Sequence, residues 1–158
     1  MAILIKKHSK VGFTGARQGM TEYQKNTVKN LLMAGQPTEF HHGDCVGADA
    51  DAHVLAVRAG IKTVGHPPDI SDNRAFCGVN ILRETKPYLD RNHDIVDETD
   101  LLIACPMRAE EVRRSGTWAT VRYARKLGRM ILIVYPSGRM FVEWSREQQR
   151  EKRLHSYS

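Results

Sequence analysis

Residues 41–53 read HHGDCVGADADAH, and they join two kinds of chain. The segment leading in, Glu39 to His42, reads as a short strand. From Ala48 to Arg58, the positions Ala48, Ala52, Leu55 and Ala56 share one helical stripe. Between them GDCVG is a polar turn with two glycines. Strand, glycine loop and helix in this order are the repeating unit of an α/β chain. The same thirteen positions hold three histidines, three aspartates and a cysteine, so metal binding, phosphate binding and acid–base chemistry all have to be weighed here.

The rest of the chain extends that unit in both directions. VGFT, residues 11–14, is a strand that runs into GARQGM. Thr21 to Ala34 reads as a helix, capped by Thr21, with Val28, Leu31 and Leu32 on its apolar face and Gly35, Gln36 and Pro37 ending it. After Gly60, IKTVGH gives a third strand before Pro67 and Pro68. Short helices are predicted near 73–76 and over 88–96, the second with Pro87 at its start. LLIAC at 101–105 and MILIVY at 130–135 are uninterrupted apolar strands, separated by a polar loop and a helix over 117–127 that Gly128 ends. Strands without polar alternation belong to a sheet covered on both faces. The predicted fold is a single α/β domain, Rossmann-like, with a mostly parallel sheet and helices on both faces. It is expected to occupy residues 1–138, with 139–158 as a basic C-terminal helix or tail.

The formal charge of +6 favours anionic partners, nucleotides or nucleic acid among them. In the tail, however, Glu143, Glu147 and Glu151 alternate with arginines at helical spacing, the pattern of a solvated helix. No apolar run approaches the roughly 20 residues that cross a bilayer, so no membrane partner is expected. The start, MAILIKKHSK, places its apolar run before its lysines, the reverse of a secretory signal. Cys45, Cys77 and Cys105 make neither an even disulfide set nor a CxxC pair. A cytoplasmic location is expected.

Four polar clusters fall at strand ends. In GFTGARQGMT, residues 12–21, Gly15 allows close backbone approach and Arg17 offers a fork for phosphate or carboxylate, although a plain glycine turn reads the same way. The segment matches neither GxGxxG nor a Walker A loop. In the second cluster Gly43 and Gly47 shape a loop that feeds a helix N-terminus, a setting suited to an anion. Asp44 and Asp49 are its candidate catalytic carboxylates, and capping or orienting the helix is the structural alternative for Asp49. His41 and His42 point to opposite sides of their strand, and Asp49 with His53 is more often a hydrogen-bonded pair than a ligand pair. No metal site and no cofactor are therefore expected. Arg91 and Asn92 form the third cluster, offering an anion fork and an amide for a purine edge, or else a salt-bridged surface helix. Ser115, Gly116 and Thr117 form the fourth, directly ahead of a helix, where backbone N–H groups and two hydroxyls suit a phosphate.

The ordered series GFTGAR, HHGDCVGADADAH, HPP, RN and SGTW resembles the SLOG superfamily, which includes DNA-processing protein A and the lonely-guy phosphoribohydrolases. The resemblance spans roughly residues 11–138 and implies a Rossmann-like fold, with a ligand over the strand ends and the SGT turn on its phosphate. The phosphoribohydrolases carry a PGGxGTxxE motif with a catalytic glutamate. Thr120 stands at that position here, and the paired glycines are absent. The resemblance further implies a homo-oligomer, with the helix at 117–127 as its seam.

Together these readings predict a cleft at the carboxyl ends of the strands that binds a nucleotide or phosphorylated nucleoside. Hydrolysis of the N-glycosidic bond is the reaction such a cleft would carry. A non-catalytic nucleotide sensor or scaffold is the alternative, and a single-stranded nucleic-acid-binding module ranks third.

Overall fold

The computed structural model describes residues 4–156, so the first three residues of the apolar start and the last two of the tail lie outside it. In chain order the elements are β1 (Lys10–Gly15), α1 (Glu22–Gly35), β2 (Glu39–His42), α2 (Ala48–Arg58), β3 (Lys62–Gly65), a 3-10 turn (Ser71–Asn73), β4 (Ile81–Leu82), α3 (Tyr88–Asp97), β5 (Leu101–Cys105), α4 (Gly116–Lys126), β6 (Met130–Val134), β7 (Met140–Glu143) and α5 (Arg146–Ser156). Among the described residues they form one α/β domain. Its seven-stranded sheet has the order β4-β3-β2-β1-β5-β6-β7 and is parallel except for β7.

Both faces of the sheet are covered, and the strand period of two divides the core accordingly. Val11, Phe13, Ile103 and Leu132 pack with Val28 and Leu32 of α1 and Ala48, Ala52 and Ala56 of α2. Leu102, Ala104, Ile131 and Ile133 point the other way, onto Trp118, Val121 and Ala124 of α4 and Val96 of α3. The alanine stripe of α2 lets that helix lie close to the sheet.

Local chemistry fixes the helix starts. Thr21 caps α1 by accepting from the Gln24 amide at 3.0 Å, and the Gln24 side chain accepts from the Thr21 amide at 2.9 Å, a reciprocal capping box. Gln24 is buried and also donates its side-chain amide to the carbonyls of Pro106 (2.9 Å) and Val134 (3.0 Å). One side chain thus starts α1 and ties down the chain where it leaves β5 and β6.

The order of the strands reverses between β1 and β5. Chains leaving their carboxyl ends diverge there and open a crevice, the usual ligand position in open α/β sheets.

The sequence reading and the structure differ at three places. β4 is only two residues long, too short for a periodic signal. β7 returns from the turn at Pro136–Gly138, where the Tyr135 amide bonds the Arg139 carbonyl at 2.9 Å, and pairs antiparallel with β6. Its half-exposed residues lack the apolar run of the other strands. The short helix predicted at 73–76 is instead the single 3-10 turn at 71–73. The tail is helical as α5 and buries none of its residues, and Lys152 lies 3.8 Å from the centroid of the Trp144 ring. No helix among the described residues is long and apolar enough to cross a membrane.

Candidate functional site

A cleft of about 550 Å³ opens at the crevice between β1 and β5. Its floor is the end of β1, Phe13 to Gly15, and its rim is the Ala16–Gln18 loop. One side is Gly43, Cys45, Val46 and Asp49, and another is Tyr88, Arg91 and Asn92 of α3. The loop after β5 and the first turn of α4 supply Arg108 and Ser115 to Trp118. The volume is that of an ordinary small-molecule site.

The start of α4 forms one wall of the cleft. Ser115 is the N-cap, and its hydroxyl oxygen accepts from the Trp118 amide at 3.3 Å. The amides of Gly116 and Thr117, in the first turn, have no intrahelical acceptor, and the helix dipole adds positive potential there. α2 starts differently. Its first amide, Ala48 N, donates to the Ala16 carbonyl at 3.0 Å, and its Asp51 carboxylate accepts from the Met20 amide at 2.9 Å. That N-terminus holds the β1 loop in place.

Gly47, the N-cap of α2, has a φ of +97°, and any Cβ there would overlap the Arg17 backbone. It is not among the residues lining the cleft; it shapes the loop that does. Gly43 does line it, and a Cβ at that position would overlap Arg91 Nη1. The absent side chain makes room for a guanidinium that is only 4% exposed. Arg91 donates from Nη1 to the carbonyls of Gly43 (2.5 Å) and His66 (3.2 Å) and from Nη2 to Cys45 Sγ (3.5 Å). Its Cζ lies 4.8 Å from the centroid of the Tyr88 ring. Arg91 is therefore a fixed positive charge in the wall, largely committed to backbone oxygens.

Asp49 is the carboxylate beside that charge. Burial pushes its pKa up to about 6, against the opposing pull of Arg91 and of the Cys45 and Gly43 amides. Asp44 is a different kind of group. Its backbone is left-handed (φ 51°), it is 1% exposed, and its two oxygens accept from Arg74 Nε and the Cys77 amide, each at 2.8 Å. Burial raises its pKa, but those donors outweigh burial and hold it below the ordinary value. Asp44 does not line the cleft. It pins the segment around Arg74 to the loop after β2.

Of the residues expected at the site, Gly15, Arg17, Gly43, Asp49, Arg91, Asn92, Ser115, Gly116 and Thr117 all line this one cleft, whereas Asp44 and Gly47 support it from outside. His53 turns to His42, whose Nε2 lies 3.1 Å from His53 Nδ1. Thr120, buried, returns its hydroxyl to the Gly116 carbonyl at 2.9 Å. Sequence reasoning missed Tyr88 and Arg108. Tyr88 opens α3 directly after Pro87, the proline that marks the helix start, so its place at the strand-end rim had a signal. Arg108 lies in a loop without one.

The outward side of α4 carries ion pairs within the chain, Arg122 with Glu111 (3.1 Å) and Arg125 with Glu143 (3.0 Å).

Comparison with known proteins yields kinship of fold. No protein-family model matches the chain. No curated protein matches it either. Among solved structures, the molybdenum cofactor binding protein of Rippkaea orientalis superposes with a TM-score of 0.65 at 19% identity, over 96% of this chain and 98% of that one. DNA processing protein A of Streptococcus pneumoniae gives 0.60 at 20% identity, over 80% of this chain and 50% of that one. The Helicobacter pylori DNA processing protein A, a single-stranded DNA binder, gives 0.60 at 15%, over 95% and 74%. The chain thus shares a Rossmann-like fold with these proteins.

Proposed function

We propose that the cleft binds a nucleotide or phosphorylated nucleoside, with its phosphate on the first turn of α4. The observation that carries this reading is the pair of first-turn amides, Gly116 and Thr117, at the topological switch point of the sheet. Arg17 and Arg108 line the same cleft and add positive charge to it. Tyr88 and Trp118 offer aromatic surface for a base, and Asn92 offers a paired donor and acceptor for its edge.

Binding without turnover is the better supported form of this proposal. Cleavage of an N-glycosidic bond needs a carboxylate near the ribose and a second group to meet the leaving base. Asp49 is the one carboxylate among the lining residues, and Thr120 occupies the position of the phosphoribohydrolase glutamate. If hydrolysis occurs, it falls to Asp49.

Mass spectrometry of small molecules released from the denatured protein, with a parallel incubation in a mixed nucleotide pool, tests the proposal. A retained, unaltered nucleotide is the expected result. Free base or sugar phosphate that disappears in Asp49→Asn would make the protein a hydrolase. Retention of a molybdenum cofactor, as in the Rippkaea orientalis relative, or of single-stranded DNA with no nucleotide bound, would replace the proposal.

A further inference from the structure

Two histidine pairs lie behind the cleft, and they differ in how their protons are shared. The Asp44 amide donates to His42 Nδ1 at 2.9 Å, which leaves the proton of a neutral ring on Nε2. That N–H points at His53 Nδ1, 3.1 Å away. Every gap in this chain holds one proton. A metal at His42 Nε2 would force the proton onto Nδ1, against the Asp44 N–H, so the nearby Cys77 does not turn this pair into a metal site.

The second pair is bonded differently. His41 Nε2 lies 2.8 Å from Glu39 Oε1, so its proton belongs there and Nδ1 presents a lone pair. His66 Nε2 faces that lone pair at 2.9 Å, and His66 Nδ1 lies 3.6 Å from Glu98 Oε2. The proton on His66 Nε2 fills the gap to His41, and His66 Nδ1 turns its lone pair toward Glu98 at a distance too long for a hydrogen bond. Both rings are 1% exposed.

We propose that His41, His66 and Glu98 form a binding site for a divalent transition metal of the zinc class. One donor atom from each lies within 4.8 Å of the others. Two imidazoles and a carboxylate are a zinc donor set with a fourth position left for water. Glu39 completes the arrangement as the outer carboxylate that orients His41, the partner that metal-bound histidines usually have. Arg83 binds Glu98 through Oε1 at 2.7 Å, which leaves Oε2 available. The Glu98 side chain is 34% exposed and gives the ion a way in. On a tetrahedral zinc two ring nitrogens stand about 3.3 Å apart with their lone pairs converging on the ion, so His41 and His66, head to head at 2.9 Å, tilt as well as separate to admit it. The sequence expectation of no metal rested in part on His41 and His42 pointing to opposite sides of β2. They do, and each meets its own second histidine from another segment.

The test is a zinc titration of the EDTA-stripped full chain against a chromophoric chelator, followed by X-ray absorption. One equivalent of zinc with nitrogen and oxygen ligands only is expected. Glu98→Gln should lower the affinity at least tenfold, His66→Gln should abolish uptake, and Cys77→Ser should leave it unchanged. The proposal is overturned by absence of stoichiometric uptake, by a sulfur ligand at about 2.3 Å, or by full affinity in Glu98→Gln. Should His66→Gln fail to fold, the exposed Glu98 variant and the wild-type absorption spectrum still decide.

Discussion

Replacing Asp49 by asparagine should stabilise the protein at neutral pH and leave it nearly unchanged in acid. The folded protein raises this carboxyl from its ordinary 3.8 to about 6, so the native state holds the proton more tightly than the unfolded chain does. The stability tied to that proton is fully present below pH 3.8 and is lost as the pH rises to about 6. At 1.36 kcal/mol per pH unit the whole window amounts to about 3 kcal/mol, and roughly half of it falls between pH 5 and pH 8. Asparagine keeps an oxygen for the Cys45 amide, bonded at 3.2 Å in the wild type, and has no charge to desolvate. Urea denaturation of both proteins at pH 5 and pH 8 isolates the effect, because the two differ only in this side chain. The variant's advantage should grow by about 1.4 kcal/mol between the two pH values. Parallel pH profiles would mean that Asp49 ionises as freely as in water, and the argument that the cleft retains a carboxylate at a cost in stability would fail. A gain in stability accompanied by a loss of ligand binding is the trade-off expected of a functional group.

Two further substitutions probe the walls of the cleft. Gly43→Ala puts a methyl group where Arg91 Nη1 lies and within 2.8 Å of Asp49 Oδ2. It should cost about 1–3 kcal/mol by thermal or urea denaturation and abolish ligand binding below the melting temperature; wild-type stability would show that the guanidinium is not held there. Ser115→Ala should lose about 1 kcal/mol of capping energy, whereas Ser115→Asp restores the cap but sets a negative charge at the proposed phosphate position. Calorimetric titration with a nucleotide should find no binding to the aspartate variant despite its intact stability; undiminished binding would move the phosphate elsewhere.

The parts of this structure that were legible in the sequence are those with local causes. The capping pair Thr21 and Gln24, the alanine stripe of α2 and the apolar runs of β5 and β6 each announce an element within a few positions. The glycine clusters marked strand ends, and strand ends are where a parallel sheet opens its crevice, so nine residues that line the cleft could be named without knowing the strand order. Asp44 and Asp49 were indistinguishable on the same grounds. What separates them is distant: Arg74 and Cys77 arrive from about thirty residues downstream to engage Asp44, while Gly43 and Arg91 enclose Asp49. The histidine partners were hidden for a related reason. Parallel pairing of β2 with β3 sets His42 beside Gly65 and brings His66 next to His41, and that register has no local signature.

The two helix starts show how far such reading can go. GDCVGAD ahead of α2 and RRSGTW ahead of α4 both read as glycine turns feeding helix N-termini, and both suited an anion. A free first-turn amide is, however, a property of what else is nearby. The loop after β1 passes over α2, and its Ala16 carbonyl takes the Ala48 amide while Asp51 takes the Met20 amide from the same loop. Among the described residues no hydrogen bond of α4 plays the corresponding part, because the chain before it comes off β5 on the far side of the switch point. The α2 N-terminus is thus used to shape the rim, and the α4 N-terminus faces the cleft that this rim encloses. Sequence similarity of the two turns conceals a division of labour that only the strand order imposes, and it is the reason to look for phosphate at Gly116 and Thr117 before looking at Gly47.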